Sequence, residues 1–69
     1  MPKLKWTDAD EIGYQLQQKF PDVDPLRVRF TELRNRVLGL EEFGGDPAAI
    51  SEGSLEAIQM AWLEYYRGG

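Results

Sequence analysis

The sequence predicts a small, mainly α-helical domain of three helices, and three features of it say so. Apolar residues recur at helical spacing in three stretches, capping residues stand just before those stretches, and proline or glycine punctuates the gaps. With 69 residues, the chain has room for one domain, spanning 1–69.

The first helix opens at Thr7-Asp8-Ala9-Asp10, which reads as a capping box with Thr7 as the N-cap and Asp10 three residues on. Asp8, Asp10 and Glu11 also suit the positive end of a helix dipole. Ala9, Ile12, Gly13, Leu16 and Phe20 share one stripe, and Asp10, Tyr14, Gln17 and Gln18 fall on the other side. Pro21 stops this helix, and Trp6 should fold back onto the core. Asp24-Pro25 suits a short helical turn. Val28-Arg29-Phe30 reads as a very short extended piece with Val28 and Phe30 inward. Thr31 is the expected N-cap of a second helix of about ten residues, with Leu33, Val37 and Leu40 as its stripe and Leu38 off it. Gly44-Gly45 ends that region, and Asp46-Pro47 opens another turn. Ser51 or Ser54 caps the last helix, where Leu55, Ile58, Trp62, Tyr65 and Tyr66 lie within one arc. Glu56, Met60 and Glu64 stand on a different face, and the Arg67–Gly69 end should fray. The expected core is Trp6, Leu16, Phe20, Phe30, Leu33, Ile58 and Trp62.

Composition narrows the chemistry. The chain has no cysteine, which excludes disulfides, thiolate metal sites and a cysteine nucleophile. It has no histidine, which excludes imidazole bases and His-ligated metals. Hydrophobic content of 42% with 29% charged residues is globular rather than disordered composition. No apolar run approaches the ~20 residues of a membrane span, and the opening residues lack the apolar core of a secretory signal. A soluble, cytoplasmic monomer is the expectation.

Charge is uneven. Residues 1–36 hold seven basic and six acidic groups, whereas residues 37–69 hold Arg67 alone against Glu41, Glu42, Asp46, Glu52, Glu56 and Glu64. The second half therefore repels nucleic acid and anionic lipid and attracts a basic protein or a cation, with a simple solubility charge as the plain alternative. Met60, between Glu56 and Glu64, is a candidate apolar contact. Glu41, Glu42, Asp46 and Glu52 can approach one another around the loop before the last helix. They offer a weak, oxygen-only site for Mg²⁺, Ca²⁺, Mn²⁺ or Fe²⁺, or simply a solvated acidic loop. Asp22 and Asp24 are a second, poorer locus. Asp22-Val23-Asp24 fails as a calcium loop, because Arg27 stands where glycine is needed and Leu33 where the bidentate glutamate is needed. Gly44-Gly45 lacks the lysine of a phosphate loop. Nothing suggests a buried carboxylate pair, so no catalytic residues are assigned. Arg27, Arg29, Arg34 and Arg36 form the basic cluster; a DNA-binding winged helix must be weighed, but neighbouring carboxylates are their better partners.

A family resemblance then covers nearly the whole chain. Leu4-Lys5-Trp6-Thr7-Asp8, Asp24-Pro25, Val28-Arg29-Phe30-Thr31-Glu32-Leu33, Leu40-Glu41-Glu42-Phe43, Asp46-Pro47, Leu55-Glu56-Ala57-Ile58 and Trp62-Leu63-Glu64 occur in the order and spacing of the IscX family. The chain resembles that family, part of the bacterial iron–sulfur cluster assembly system, from Leu4 to Glu64. The resemblance implies a modified winged-helix-like fold with little or no wing. It implies a non-enzymatic adaptor whose acidic face binds the cysteine desulfurase IscS, on a basic surface also used by frataxin and ferredoxin. It also implies weak Fe²⁺ binding and no tightly held cofactor, with an iron carrier or donor as the alternative role. The expected partner-binding residues are Glu41, Glu42, Asp46, Glu52, Glu56, Met60 and Glu64, and the expected metal-binding residues are Glu41, Glu42, Asp46 and Glu52. Three departures stand out. The family loop usually reads Phe-Asp-Asp-Asp-Pro, where this chain has Phe43-Gly44-Gly45-Asp46-Pro47, and Arg36 stands where the family often has tryptophan. Glu32 stands for the family's aspartate and keeps the charge.

Overall fold

The computed structural model describes residues 4–68. Its three α-helices are α1 (Ala9–Lys19), α2 (Phe30–Leu38) and α3 (Glu52–Tyr66), with 3₁₀ turns at Pro25–Arg27 and Pro47–Ala49. The architecture is all-α, as predicted. Among the described residues the extended pairing is one parallel bridge between Leu4 and Phe43. The Leu4 N–H donates to the Glu42 carbonyl at 2.7 Å and the Gly44 N–H to the Leu4 carbonyl at 2.8 Å.

The α1–α3 crossing is the centre of the fold. Asp10 lies beside Tyr65, and Gly13 lies against Ala61 and Trp62, so the two helices run antiparallel. Gly13 is required by this approach, because a Cβ there would stand 2.6 Å from the Trp62 backbone nitrogen. Ile12, Leu16, Leu33, Val37, Ile58 and Trp62 are each 0% exposed and form the core with Trp6, Val28, Leu40, Phe43 and Leu55. Burying a large indole costs an unpaired N–H unless an acceptor is supplied. The Trp62 Nε1–H donates to Gln17 Oε1 at 3.1 Å, so Gln17, half-buried, serves the core from the edge of the polar side.

Several boundaries differ from the sequence reading. The N-cap of α1 is Asp8, not Thr7, and its carboxylate turns back to accept the Lys5 N–H at 2.8 Å rather than capping forward. Helix α2 begins at Phe30 with Arg29 as N-cap, so Thr31 is already inside the helix and only Val28 and Arg29 remain extended. The Leu33 N–H already bonds the Arg29 carbonyl at 2.7 Å, which pulls the helix start back two residues. Phe20 and Phe30 are half-buried against the core rather than within it. On α3, Leu63 is buried, Tyr65 half-buried and Tyr66 exposed. The Pro25–Arg27 turn also seats on α3, where Gln59 Nε2 donates to the Pro25 carbonyl at 3.0 Å.

Other elements follow the sequence. Asp24 and Asp46 each accept the N–H two residues on, from Leu26 at 3.0 Å and Ala48 at 2.9 Å, so both Asp-Pro pairs open short turns. Ser51, rather than Ser54, caps α3, its hydroxyl accepting the Ser54 N–H at 3.2 Å. At the far end Arg67 is the C-cap and Gly68 takes φ +84°, a left-handed conformation suited to glycine; Gly69 lies outside the described residues.

Candidate acidic interface

Trp6 organises the acidic loop. Its indole N–H donates to the Asp46 carbonyl at 2.6 Å, and its ring meets Phe43 edge-on with centroids 4.5 Å apart. With the Leu4–Phe43 bridge, these contacts pin the segment from Leu40 to Asp46 against the N-terminal strand of chain. Leu40 lies just past α2 yet is buried, so it anchors the start of the loop.

All six carboxylates after residue 36 are exposed: Glu41, Glu42, Asp46, Glu52, Glu56 and Glu64. Exposure leaves them available to a partner. They occupy four settings. Glu41 and Glu42 line an open cleft with Gln15, Gln18, Lys19 and Leu40. Lys19 closes one end of it by donating from Nζ to the Gly39 carbonyl at 3.2 Å. Asp46 borders a second cleft with Trp6, Gly44, Gly45 and Ser54, and its Oδ1 is committed to the Ala48 N–H. Glu56 and Glu64 flank Met60 on the outward side of α3, where Met60 is 51% exposed. Glu52 sits in the first turn of α3, where its charge favours the helix dipole. Among the described residues no three acidic side chains gather closely enough to hold a metal ion. The four loop carboxylates expected to hold a metal therefore do not form a ready-made cage.

The arginine cluster behaves as the charge argument expects at Arg36. It donates from Nε at 3.2 Å and Nη2 at 3.0 Å to Glu32 Oε2, and it lies 4.5 Å from the centroid of Phe20. Arg27 and Arg29 are exposed around the start of α2.

The glycine pair in the loop is not one feature but two. A Cβ at Gly45 would stand 2.6 Å from Cζ of Phe43, whose ring is buried against Trp6. Gly45 is thus the floor on which the Phe43 ring rests, while Gly44 is exposed.

Sequence reasoning missed one cluster. Tyr65 donates its hydroxyl to Asp10 Oδ2 at 3.2 Å and meets the Tyr14 ring edge-on at 5.4 Å. Partial burial raises the Tyr65 phenol above its ordinary pKa, and the hydrogen bond and charge of Asp10 raise it further, with Glu11 and Tyr14 adding to the shift. The i, i+4 pair Asp10 and Tyr14 was visible on α1, but its meeting with Tyr65 depends on how α1 crosses α3.

A protein of Pseudomonas aeruginosa described as uncharacterized is 52% identical over 61 residues, covering 88% of this chain and 92% of that protein. The family model described as iron–sulphur cluster assembly matches residues 4–67, almost the whole described chain, including Trp6, the pinned loop and α3. On that match the chain belongs to the iron–sulphur cluster assembly family, IscX, that the residues from Leu4 to Glu64 resemble.

Proposed function

We propose that this chain is a non-enzymatic adaptor of iron–sulfur cluster assembly that binds the cysteine desulfurase IscS through exposed carboxylates. The contact set is Glu41, Glu42, Asp46, Glu52, Glu56 and Glu64, with Met60 as an apolar anchor. The observation that carries the reading is that every acidic side chain after residue 36 is exposed, in a member of a cluster-assembly family. Such a surface complements a basic one, and it competes with frataxin and ferredoxin for it. The adaptor works in the cytoplasm as a monomer; among the described residues no helix is long and apolar enough to cross a membrane.

Iron binding in this reading is weak. With neither histidine nor cysteine in the chain, Fe²⁺ meets only hard oxygen ligands, and Glu41, Glu42, Asp46 and Glu52 supply them alongside water. Paramagnetic broadening on adding Fe²⁺ should fall on amides of these four residues. Broadening confined to distant residues would remove the assignment.

Electrostatic steering is screened by salt, with a Debye length of ~8 Å at physiological ionic strength. The test is the affinity for purified IscS at low and high salt, for the parent and for Glu56→Lys. Binding should weaken as salt rises, and the reversal should slow association with an unchanged melting temperature, because Glu56 is exposed. Salt-independent binding that ignores the reversal, or no binding, overturns the adaptor reading.

A further inference from the structure

We infer that Tyr14, Tyr65 and Asp10 form a receptor for an arginine side chain of the protein partner, on the flank where α1 meets α3. The identification of that partner as IscS rests on the reading above; the receptor itself rests on the geometry.

The two rings come from different helices and meet edge-on, 5.4 Å between centroids at 74°. An edge-on pair leaves a ring face uncovered, and Tyr14 is 41% exposed. The Tyr65 hydroxyl is held by Asp10 at 3.2 Å, so the phenol and the carboxylate keep one geometry. Neither tyrosine belongs to the core cluster or packs against it as a partly buried apolar residue. A single exposed aromatic residue means little. Two in register, tied to a carboxylate and next to Glu11 in the same first turn, form an aromatic surface with a negative rim.

That combination selects among cations. A guanidinium is planar, stacks on an aromatic face, and forks onto a carboxylate at the same time. An ammonium does neither as well, because it is a compact, strongly hydrated point charge. Asp10 and Glu11 repel phosphate, which excludes nucleic acid and anionic lipid as occupants. Tyrosine and arginine are also the residues that dominate binding energy at protein interfaces. The receptor gives the partner an aromatic anchor at α1 and α3 in addition to Met60 on α3.

Two measurements test this. The first needs no desulfurase: N-acetyl-arginine amide and N-acetyl-lysine amide are titrated at equal ionic strength while the tyrosine ring protons are followed by NMR. Arginine should shift the Tyr14 and Tyr65 rings more than lysine does, and Asp10→Asn should abolish the difference. Rings that respond equally to both cations, or to neither, overturn the receptor. The second is affinity for IscS. Tyr14→Ala should weaken binding roughly tenfold, whereas Tyr14→Phe, which keeps the ring, should stay within about twofold. Parent-like affinity of Tyr14→Ala, with binding still salt-dependent, overturns the receptor while leaving the acidic adaptor intact. Arginine-selective shifts in a parent that does not bind IscS would do the reverse, removing the named partner and keeping the receptor. Self-association that disappears on replacing Arg27 and Arg29 by alanine would assign the flank to a second copy of this chain and overturn the proposal.

Discussion

The α1–α3 crossing and the Leu40–Asp46 loop are both well anchored, but by different forces. The crossing is held by apolar area, with Ile12, Leu16, Ile58 and Trp62 fully buried and Gly13 letting the backbones close. The loop adds directional contacts to its buried Leu40 and Phe43: the Leu4–Phe43 bridge, the Trp6–Asp46 hydrogen bond and one edge-on ring pair. Packing energy scales with area and penalises any change in volume. Backbone hydrogen bonds tolerate changes in outward side chains. Charge can therefore be rewritten at outward loop positions such as Gly44 at little cost to the fold, whereas the crossing resists changes in volume.

The largest expected effect lies in the crossing. Trp62→Ala removes a fully buried indole and should cost about 3–5 kcal/mol, comparable with the whole stability of a domain this small. Circular dichroism should show a largely unfolded chain at room temperature. A cooperative melt within a few degrees of the parent would show that the crossing does not carry the fold.

Next are two glycines that sharpen the contrast. Gly13→Ala places a methyl 2.6 Å from the Trp62 backbone nitrogen and should cost about 1–3 kcal/mol through forced separation of the helices. Gly53→Ala, in the first turn of α3, meets nothing closer than the Ser51 hydroxyl at 3.9 Å and should stabilise by about 0.5–1 kcal/mol. Chemical denaturation of the pair measures both signs. Equal effects would mean that helix propensity, not backbone approach, decides these positions.

Inside the loop the two glycines should also part company. Gly44→Asp adds an exposed carboxylate and should tighten the proposed complex with IscS at low salt while leaving the melting temperature unchanged. Gly45→Asp puts a Cβ into the Phe43 ring, so it should lower the melting temperature before any gain in charge is felt. The full Asp-Asp-Asp loop expected from the family pattern thus needs a different seat for Phe43 in this chain. Identical melting temperatures for the two variants would contradict the packing role of Gly45.

The smallest effect concerns Tyr65. Its phenol is raised by partial burial and by Asp10, so the folded state favours the neutral form. The stability this supplies is fully present below the unfolded value, ~10, and is lost as pH rises through the folded one. An absorbance titration of the tyrosines should show one ionising later than the others, and Asp10→Asn should bring it back toward them. Three superimposed titrations would mean that Asp10 does not hold the phenol.

Much of this was legible in the residues. Asp24-Pro25 and Asp46-Pro47 each open a turn because proline fixes its own φ and the aspartate accepts an N–H two residues on. Ser51 caps α3 for the same local reason. The caps of α1 and α2 were misplaced because Thr7 and Thr31 compete with neighbours whose roles are set elsewhere. Asp8 is drawn back to the Lys5 N–H, and Arg29 is extended by the turn before it. The acidic candidates were legible as charges, but not their division among two clefts and the outer side of α3.

By itself the sequence determined the all-α class, the punctuation, the acidic second half and the family, since each depends on residues close in the chain or on their order. Tertiary structure alone decided that Gln17 satisfies the Trp62 indole, that Leu63 rather than Tyr66 is buried, that Gly45 supports Phe43, and that Tyr65 meets Asp10 and Tyr14. The reason is geometric. Periodicity specifies which face of a helix is apolar, but the rotation and offset of one helix on another come from which side chains interlock. Here a glycine at the α1–α3 contact lets the helices approach closely, and the contacts across their flank are made at that approach.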